Sequence, residues 1–241
     1  MMSPIVIGAG GRGTRMEELT QETPKHLLPV LGKPFLSHVL DRVRQAGFQQ
    51  IIVVVGYRGD AIRAFVSAMP DVTVADQFAA FGEQRYGTAV AVQAAARLVG
   101  NVPFVYLMGD NLYSATDLQT FGGAHGSCIG GMEHPEPQRF GVLETSGDRL
   151  VRIVEKPEHP SGTLINVGLY RFTPDVFPVV EKLPPSGRGE FEITDAVNVL
   201  AQSGTVRVVR LRGTWHDFSR PGDIPRVEAY LRHSHGNVPP R

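Results

Sequence analysis

The 241 residues carry 24 Lys plus Arg against 24 Asp plus Glu, with 42% hydrophobic and 20% charged residues. Such a length suits one large domain or two small ones with a sizeable buried core, and the zero charge balance gives no support for a nucleic-acid partner, which selects for a basic excess. The single cysteine, Cys128, excludes an internal disulfide and suits a reducing compartment. With no basic-then-apolar leader and no apolar run long enough to span a bilayer, the expectation is a cytoplasmic protein without a membrane partner.

The chain opens with the apolar run IVI, a first strand, and then the glycine cluster of residues 8–13. PFLSHVLDRVRQAG has apolar residues at Phe35, Leu36, Val39, Leu40 and Val43, a helical spacing opened by Pro34 and closed by Gly47. QIIVVV is apolar throughout, as in a strand covered on both faces. DAIRAFVSAM is expected to be helical, VTVA a short strand, TAVAVQAAARLV a helix, and VPFVYLMGD a buried strand ending at Asp110. This β-α-β-α order predicts a doubly wound, mainly parallel sheet with helices on both faces and ligands at the carboxyl ends of its strands.

After about residue 125 the pattern changes. RFGVLETSGDRLVRIVEKP predicts two strands joined by a Ser-Gly-Asp turn. TLINVGLYRF is a further strand, TPDVFPVVEKL a short helix with Thr173 as its N-cap, EITDAVNVLAQSG a helix and TVRVVRL a strand. The expected organisation is one domain over residues 1–233: a first part to about 125, and a smaller β-rich lobe built onto the same sheet. Residues 234–241 are expected to be a disordered tail. Cys128, in GSCIGGM, reads as a small half-buried residue and not a nucleophile. The eight histidines show no zinc-binding spacing.

Gly8, Gly10 and Gly13 fit G-x-G-x-x-G, the dinucleotide fingerprint. That fold needs a continuous helix after the third glycine and an acid at the end of the second strand. Here Pro24 and Pro29 follow, and the second strand ends in VVVGYRG. The same loop ends in Gly-Thr-Arg, and ten residues after Arg15 comes Lys25 in TPKHLLPV. Glycines admit close backbone N–H groups, arginine offers a planar fork and lysine a point charge, which together suit a triphosphate.

GAGGRGTRM followed by TPKHLLPV resembles the signature of the nucleotide-sugar pyrophosphorylases, which join a nucleoside triphosphate to a sugar 1-phosphate. YGTAVAV, LMGDNLY, RFGVLE, VEKP, INVGLY, RGEFEITDAV and GTWHDF follow in the family's order, over roughly residues 5 to 225. The GDN form is most similar to glucose-1-phosphate thymidylyltransferases.

The resemblance implies a nucleotidyltransferase using Mg²⁺, with dTTP or UTP and glucose 1-phosphate as the favoured substrates. Ala9, Gly10, Gly11, Gly13 and Thr14 would wrap the triphosphate. Arg15 would neutralise its β- and γ-phosphates, and Lys25 would reach the α-phosphate. Asp110 and Asp217 would hold the metal. Gly87 and either Gln77 or Gln84 would read the base. Lys156 would grip the sugar's phosphate, while Gly141, Glu155 and Asn166 would contact its hydroxyls. Arg188, Glu190 and Glu192 would line the sugar site or only shape a loop and helix start. The protein is expected to be a monomer or small homo-oligomer.

The sequence departs from the family pattern at several places. Gly8 replaces a usual leucine, at an expected loss of strand packing. The segment before Gly87 is longer than usual. Ser219 replaces a glycine two residues after Asp217. The chain stops near the end of the catalytic core, before the extra helices that many thymidylyltransferases carry, so effector regulation through them is not carried over. The alternative to an enzyme is a regulator of the same fold that binds nucleotide or sugar phosphate without turning it over.

Overall fold

The computed structural model describes residues 2–235. β1 (Ile5–Gly8) alternates between two cores: Ile5 and Ile7 face one, Val6 the other. No regular helix follows the glycine cluster. Two 3-10 turns, Thr14–Thr20 and Lys25–Leu27, carry the chain past the prolines, with a kink at Glu17 (φ 54°, ψ −127°). A small hairpin of β2 (Pro29–Val30) and β3 (Lys33–Pro34) leads into α1 (Phe35–Gln45). Then come β4 (Ile51–Val55), α2 (Gly59–Val66), β5 (Val72–Asp76), α3 (Gln77–Phe81), α4 (Thr88–Val99) and β6 (Phe104–Met108).

The second half adds β7 (Asn111–Tyr113), α5 (Ala115–Gly123), β8 (Cys128–Glu133), β9 (Gly141–Ser146), β10 (Arg149–Glu155) and β11 (Leu164–Phe172). It closes with α6 (Val176–Lys182), α7 (Ile193–Ala201), β12 (Arg207–Arg210), β13 (Trp215–Asp217) and α8 (Ile224–His235).

One nine-stranded sheet takes strands from both halves of the chain, in the order β5-β4-β1-β6-β11-β8-β12-β10-β9. Its first four strands are parallel. β11 then runs antiparallel to both β6 and β8, so the sheet is mixed and its parallel character is confined to one side plus the β8–β12 pair. Helices α1, α2, α5 and α8 cover one face, and α4, α6 and α7 cover the other. This is the doubly wound α/β architecture that the alternating elements predict.

β7 and β13 form a separate two-stranded ladder that pairs Asn111 with Asp217. Phe218, next in the chain, is fully buried and stacks on Phe35 of α1 with ring centroids 4.1 Å apart. Burying a phenylalanine stabilises by roughly 1.5–3 kcal/mol, enough to pin this ladder to the nucleotide half.

Several expectations are corrected. Thr173 is not the N-cap of α6. That position is Asp175, and the Thr173 hydroxyl instead donates to the Asp175 carboxylate at 3.2 Å. α8 carries Ser234 and His235, within the segment expected to be a disordered tail; residues 236–241 lie outside the described residues. Cys128 is fully buried, and burial pushes its thiol up to about 11, which keeps it protonated at neutral pH. Gly8 involves no packing loss, because the Tyr106 ring fills the space where a side chain would stand. Among the described residues, no helix is long and apolar enough to cross a membrane.

Candidate functional site

The carboxyl ends of β1, β5 and β6 open onto a cleft lined by Gly10, Gly11, Lys25, Gln77, Gly87 and Asp110 among others. Six residues singled out in the sequence are thus brought to one place. The glycine loop is held by its own backbone. Gly13, in the left-handed region (φ 68°), starts the first 3-10 turn, and its carbonyl accepts from Met16 N at 2.9 Å and from the Thr20 hydroxyl at 3.0 Å. Ala9 is fully buried and its N–H donates to Val54 O at 2.8 Å. Thr14 and Arg15 follow on the surface, and the Arg15 guanidinium has no hydrogen-bond or ion-pair partner among the described residues.

Lys25 opens the second 3-10 turn, and its ammonium donates to the Asp110 carboxylate at the end of β6. Burial alone would push the Asp110 carboxyl up, but Lys25 outweighs it and holds the group below the usual carboxylate range. His26, its neighbour, is buried with Nδ1 unpartnered. Burial, reinforced by the Lys25 charge, lowers His26 to about 3.

The two glutamines separate cleanly. Asp76 caps α3 by accepting from Phe78 N and Ala79 N at 2.8 and 2.9 Å, and this turn directs Gln77 inward. Gln77 is 2% exposed and its Oε1 is buried without a partner. Its Nε2 would stand 2.5 Å from a Cβ added at Gly10, so a larger residue there would displace the Gln77 amide. Gln84 is exposed and lines an outer cavity with Arg12, Glu83, Tyr86, Gly189 and Glu190. Gly87 has φ 142° and a Cβ there would overlap the Phe191 backbone, so close packing alone requires glycine at this position.

Asp217 ends β13 beside the Asp110 segment, with Phe218 N donating to Asp110 O at 2.8 Å. Burial, then the charge of Asp110, pushes the Asp217 carboxyl up to about 6. The Ser219 hydroxyl donates to Asp217 Oδ2 at 2.7 Å, so the residue that departs from the family pattern orients this carboxylate. No cluster of three or more His, Cys, Asp or Glu with metal-holding geometry occurs among the described residues.

The sugar-side residues form a second group. A Cβ on Gly141 would lie 3.1 Å from Glu155 Oε2 and 3.7 Å from Asn166 Cβ, so these residues are adjacent. Lys156 adopts a left-handed backbone (φ 44°), its N–H donates to Phe140 O at 3.0 Å, and its ammonium lies 3.6 Å from Glu155 Oε1. Asn166 is partly engaged internally: Nδ2 donates to the Tyr170 hydroxyl at 2.8 Å and Oδ1 accepts from Gly168 N at 2.9 Å. Arg188 pairs with Glu192, while Glu190 reaches the nucleotide cleft. The two groups meet through Trp215, whose ring lies 5.7 Å from Phe140 and whose Nε1 donates to Asn111 Oδ1 at 3.2 Å. The sequence reading missed His26, Tyr86 and Trp215. Only their places inside motifs already noted could have marked them.

Comparison with known proteins agrees with this geometry. A family model described as nucleotidyl transferase matches residues 4–233. The bifunctional protein GlmU of Methanococcus maripaludis is 31% identical over 92% of this chain and 53% of its own length. The UTP–glucose-1-phosphate uridylyltransferase AglF of Haloferax volcanii is 31% identical over 94% of this chain and 96% of its own. A solved structure from Bacillus anthracis, assigned as a glucose-1-phosphate thymidylyltransferase, is 27% identical with a TM-score of 0.83, covering 100% of this chain and 98% of that one. The chain spans about half the length of the GlmU relative it matches. With the family model matching nearly its whole length, the chain belongs to the nucleotidyl transferase family.

Proposed function

We propose that the protein transfers a nucleotidyl group from dTTP or UTP to a hexose 1-phosphate, with glucose 1-phosphate the favoured acceptor, releasing pyrophosphate. The observation that carries this reading is the joining of the glycine loop, Lys25, Gln77 and Asp110 in one cleft. A phosphate oxygen of the sugar 1-phosphate attacks the α-phosphorus, that P–O bond forms, and the bond to pyrophosphate breaks. No covalent enzyme intermediate is required, so positioning and charge stabilisation do the catalysis.

Loop N–H groups from Gly10 to Thr14, apart from that of Arg12, which donates to the Tyr86 hydroxyl, cradle the triphosphate, and the unpartnered Arg15 guanidinium neutralises the departing pyrophosphate. Lys25 exchanges Asp110 for the α-phosphate. Lys156 holds the sugar's phosphate, with Gly141, Glu155 and Asn166 at its hydroxyls. Gln77 reads the base: its buried, unpartnered Oε1 suits the N3–H of a uracil or thymine ring.

Asp110 and Asp217 fit Mg²⁺, which takes one or two carboxylates and completes its shell with phosphate oxygens and water. Burial first, then the charge of Asp110, raises the Asp217 carboxyl, and a bound cation would relieve that repulsion. Bound there, magnesium would neutralise charge that builds on the phosphates.

The test is pyrophosphate release with Mg²⁺ and glucose 1-phosphate, run in parallel with dTTP, UTP, CTP, GTP and ATP. Release that depends on the sugar phosphate and is confined to dTTP, UTP or both supports the reading. Equal release with all five nucleotides contradicts the role of Gln77.

A further inference from the structure

Tyr86 stands at the boundary between the inner cleft and the outer cavity and lines both. It is held from several directions. The Arg12 N–H donates to its hydroxyl at 3.1 Å, and the Arg12 guanidinium lies over its ring, 5.4 Å from the centroid. The ring also meets Phe78 of α3 at 6.4 Å, and its backbone carbonyl accepts from Phe191 N at 3.0 Å.

That arrangement leaves the hydroxyl pointed at a task. Its oxygen accepts from the loop, so a lone pair is engaged, while its own proton has no acceptor among the described residues. The position a Cβ would take on Gly11 lies 3.9 Å from Lys25 Nζ and the same 3.9 Å from the Tyr86 hydroxyl. An ammonium and a phenol O–H therefore face one spot on a loop whose N–H groups suit an anion. An oxyanion is the chemistry that satisfies such a pair.

We propose that Tyr86 is a further phosphate-binding residue of this site, its hydroxyl donating to an oxygen of the triphosphate held above Gly11 between it and Lys25. The inference rests on the nucleotidyl-transfer reading for the path of the triphosphate along the loop.

The test is Tyr86→Phe, which keeps the ring and its contacts with Arg12 and Phe78. Binding of inorganic tripolyphosphate, a probe with neither base nor ribose, is measured by calorimetry on the wild type and the variant. The expected result is a loss of about tenfold in tripolyphosphate affinity, with a matching rise in KM for the nucleotide and none for the sugar phosphate. Unchanged tripolyphosphate affinity overturns the proposal, even if the nucleotide KM rises, because the hydroxyl would then act on the base or the loop alone. Calorimetry does not depend on turnover. A wild type that binds tripolyphosphate but releases no pyrophosphate from any nucleotide and sugar 1-phosphate would refute nucleotidyl transfer, a different result from an unaltered variant.

Discussion

The Lys25 ammonium donates to the Asp110 carboxylate across 85 residues of sequence, joining the turn after the glycine loop to the end of β6. Both side chains are largely buried, 13% and 17% exposed. In the free protein, the cation assigned to the α-phosphate and a carboxylate assigned to the metal thus neutralise one another. On the proposed reading, substrate and metal would separate them. Asp110→Ala should lower turnover by about a hundredfold or more, by removing a metal ligand and stranding Lys25. Steady-state pyrophosphate release measures this, and near-normal turnover would remove Asp110 from the chemistry. The same substitution should cost stability by roughly 1–3 kcal/mol in urea unfolding, since it leaves a mostly buried ammonium unpaired.

Gln77 and Gln84 should behave differently. Gln77→Ala should lower kcat/KM for the preferred nucleotide by about tenfold to a hundredfold and flatten the preference among bases. Gln84→Ala, on an exposed side chain, should stay within about twofold of the wild type. Nucleotide-competition kinetics separate the two, and the reverse pattern would transfer base reading to the outer cavity.

His26 should give folding stability a pH dependence of definite sign. Burial keeps it neutral in the folded state down to about pH 3, whereas the unfolded chain protonates it near 6.5. A depressed folded-state value means its contribution is fully present above pH 6.5 and is lost as pH falls toward 3. The slope in that window is at most about 1.4 kcal/mol per pH unit. Urea unfolding from pH 7.5 to 5 should show a steeper loss for the wild type than for His26→Gln. Parallel curves would mean that His26 takes up its proton in the folded state.

Gly87→Ala should be severely destabilising, by about 2 kcal/mol or more, because φ 142° and the Phe191 backbone both exclude a Cβ. Thermal melting would register it before any change in base choice could be read. An intact melting curve with altered nucleotide preference would instead return Gly87 to a direct role in base reading.

The strands and the glycine loop were legible because their signals are local. Apolar runs such as Ile51 to Val55, and the Gly-Thr-Arg ending, need no knowledge of partners. β8, with two adjacent glycines, and α5, ending in Gly122 and Gly123, carry weak local signals and went unread. The site was legible as a set of residues but not as a geometry. Gln77 and Gln84 differ only in that Asp76 caps a turn that directs the first inward, and this depends on a short helix no periodicity reveals. Gly8 looked like a packing defect because its compensation, the Tyr106 ring, lies on β6, far along the sequence and beside it in space. Ser219 looked like a weakened metal motif, yet its hydroxyl supports Asp217.

The most direct test of the central claim is a phosphorus NMR time course of the wild type with Mg²⁺, glucose 1-phosphate and either dTTP or UTP. The account predicts that nucleoside diphosphate glucose and pyrophosphate appear in equal amounts, and that neither appears when the sugar phosphate or the cation is left out. Unreacted triphosphate with every hexose 1-phosphate tried, from a protein that still binds the nucleotide, would contradict it and favour a binding protein of the same fold.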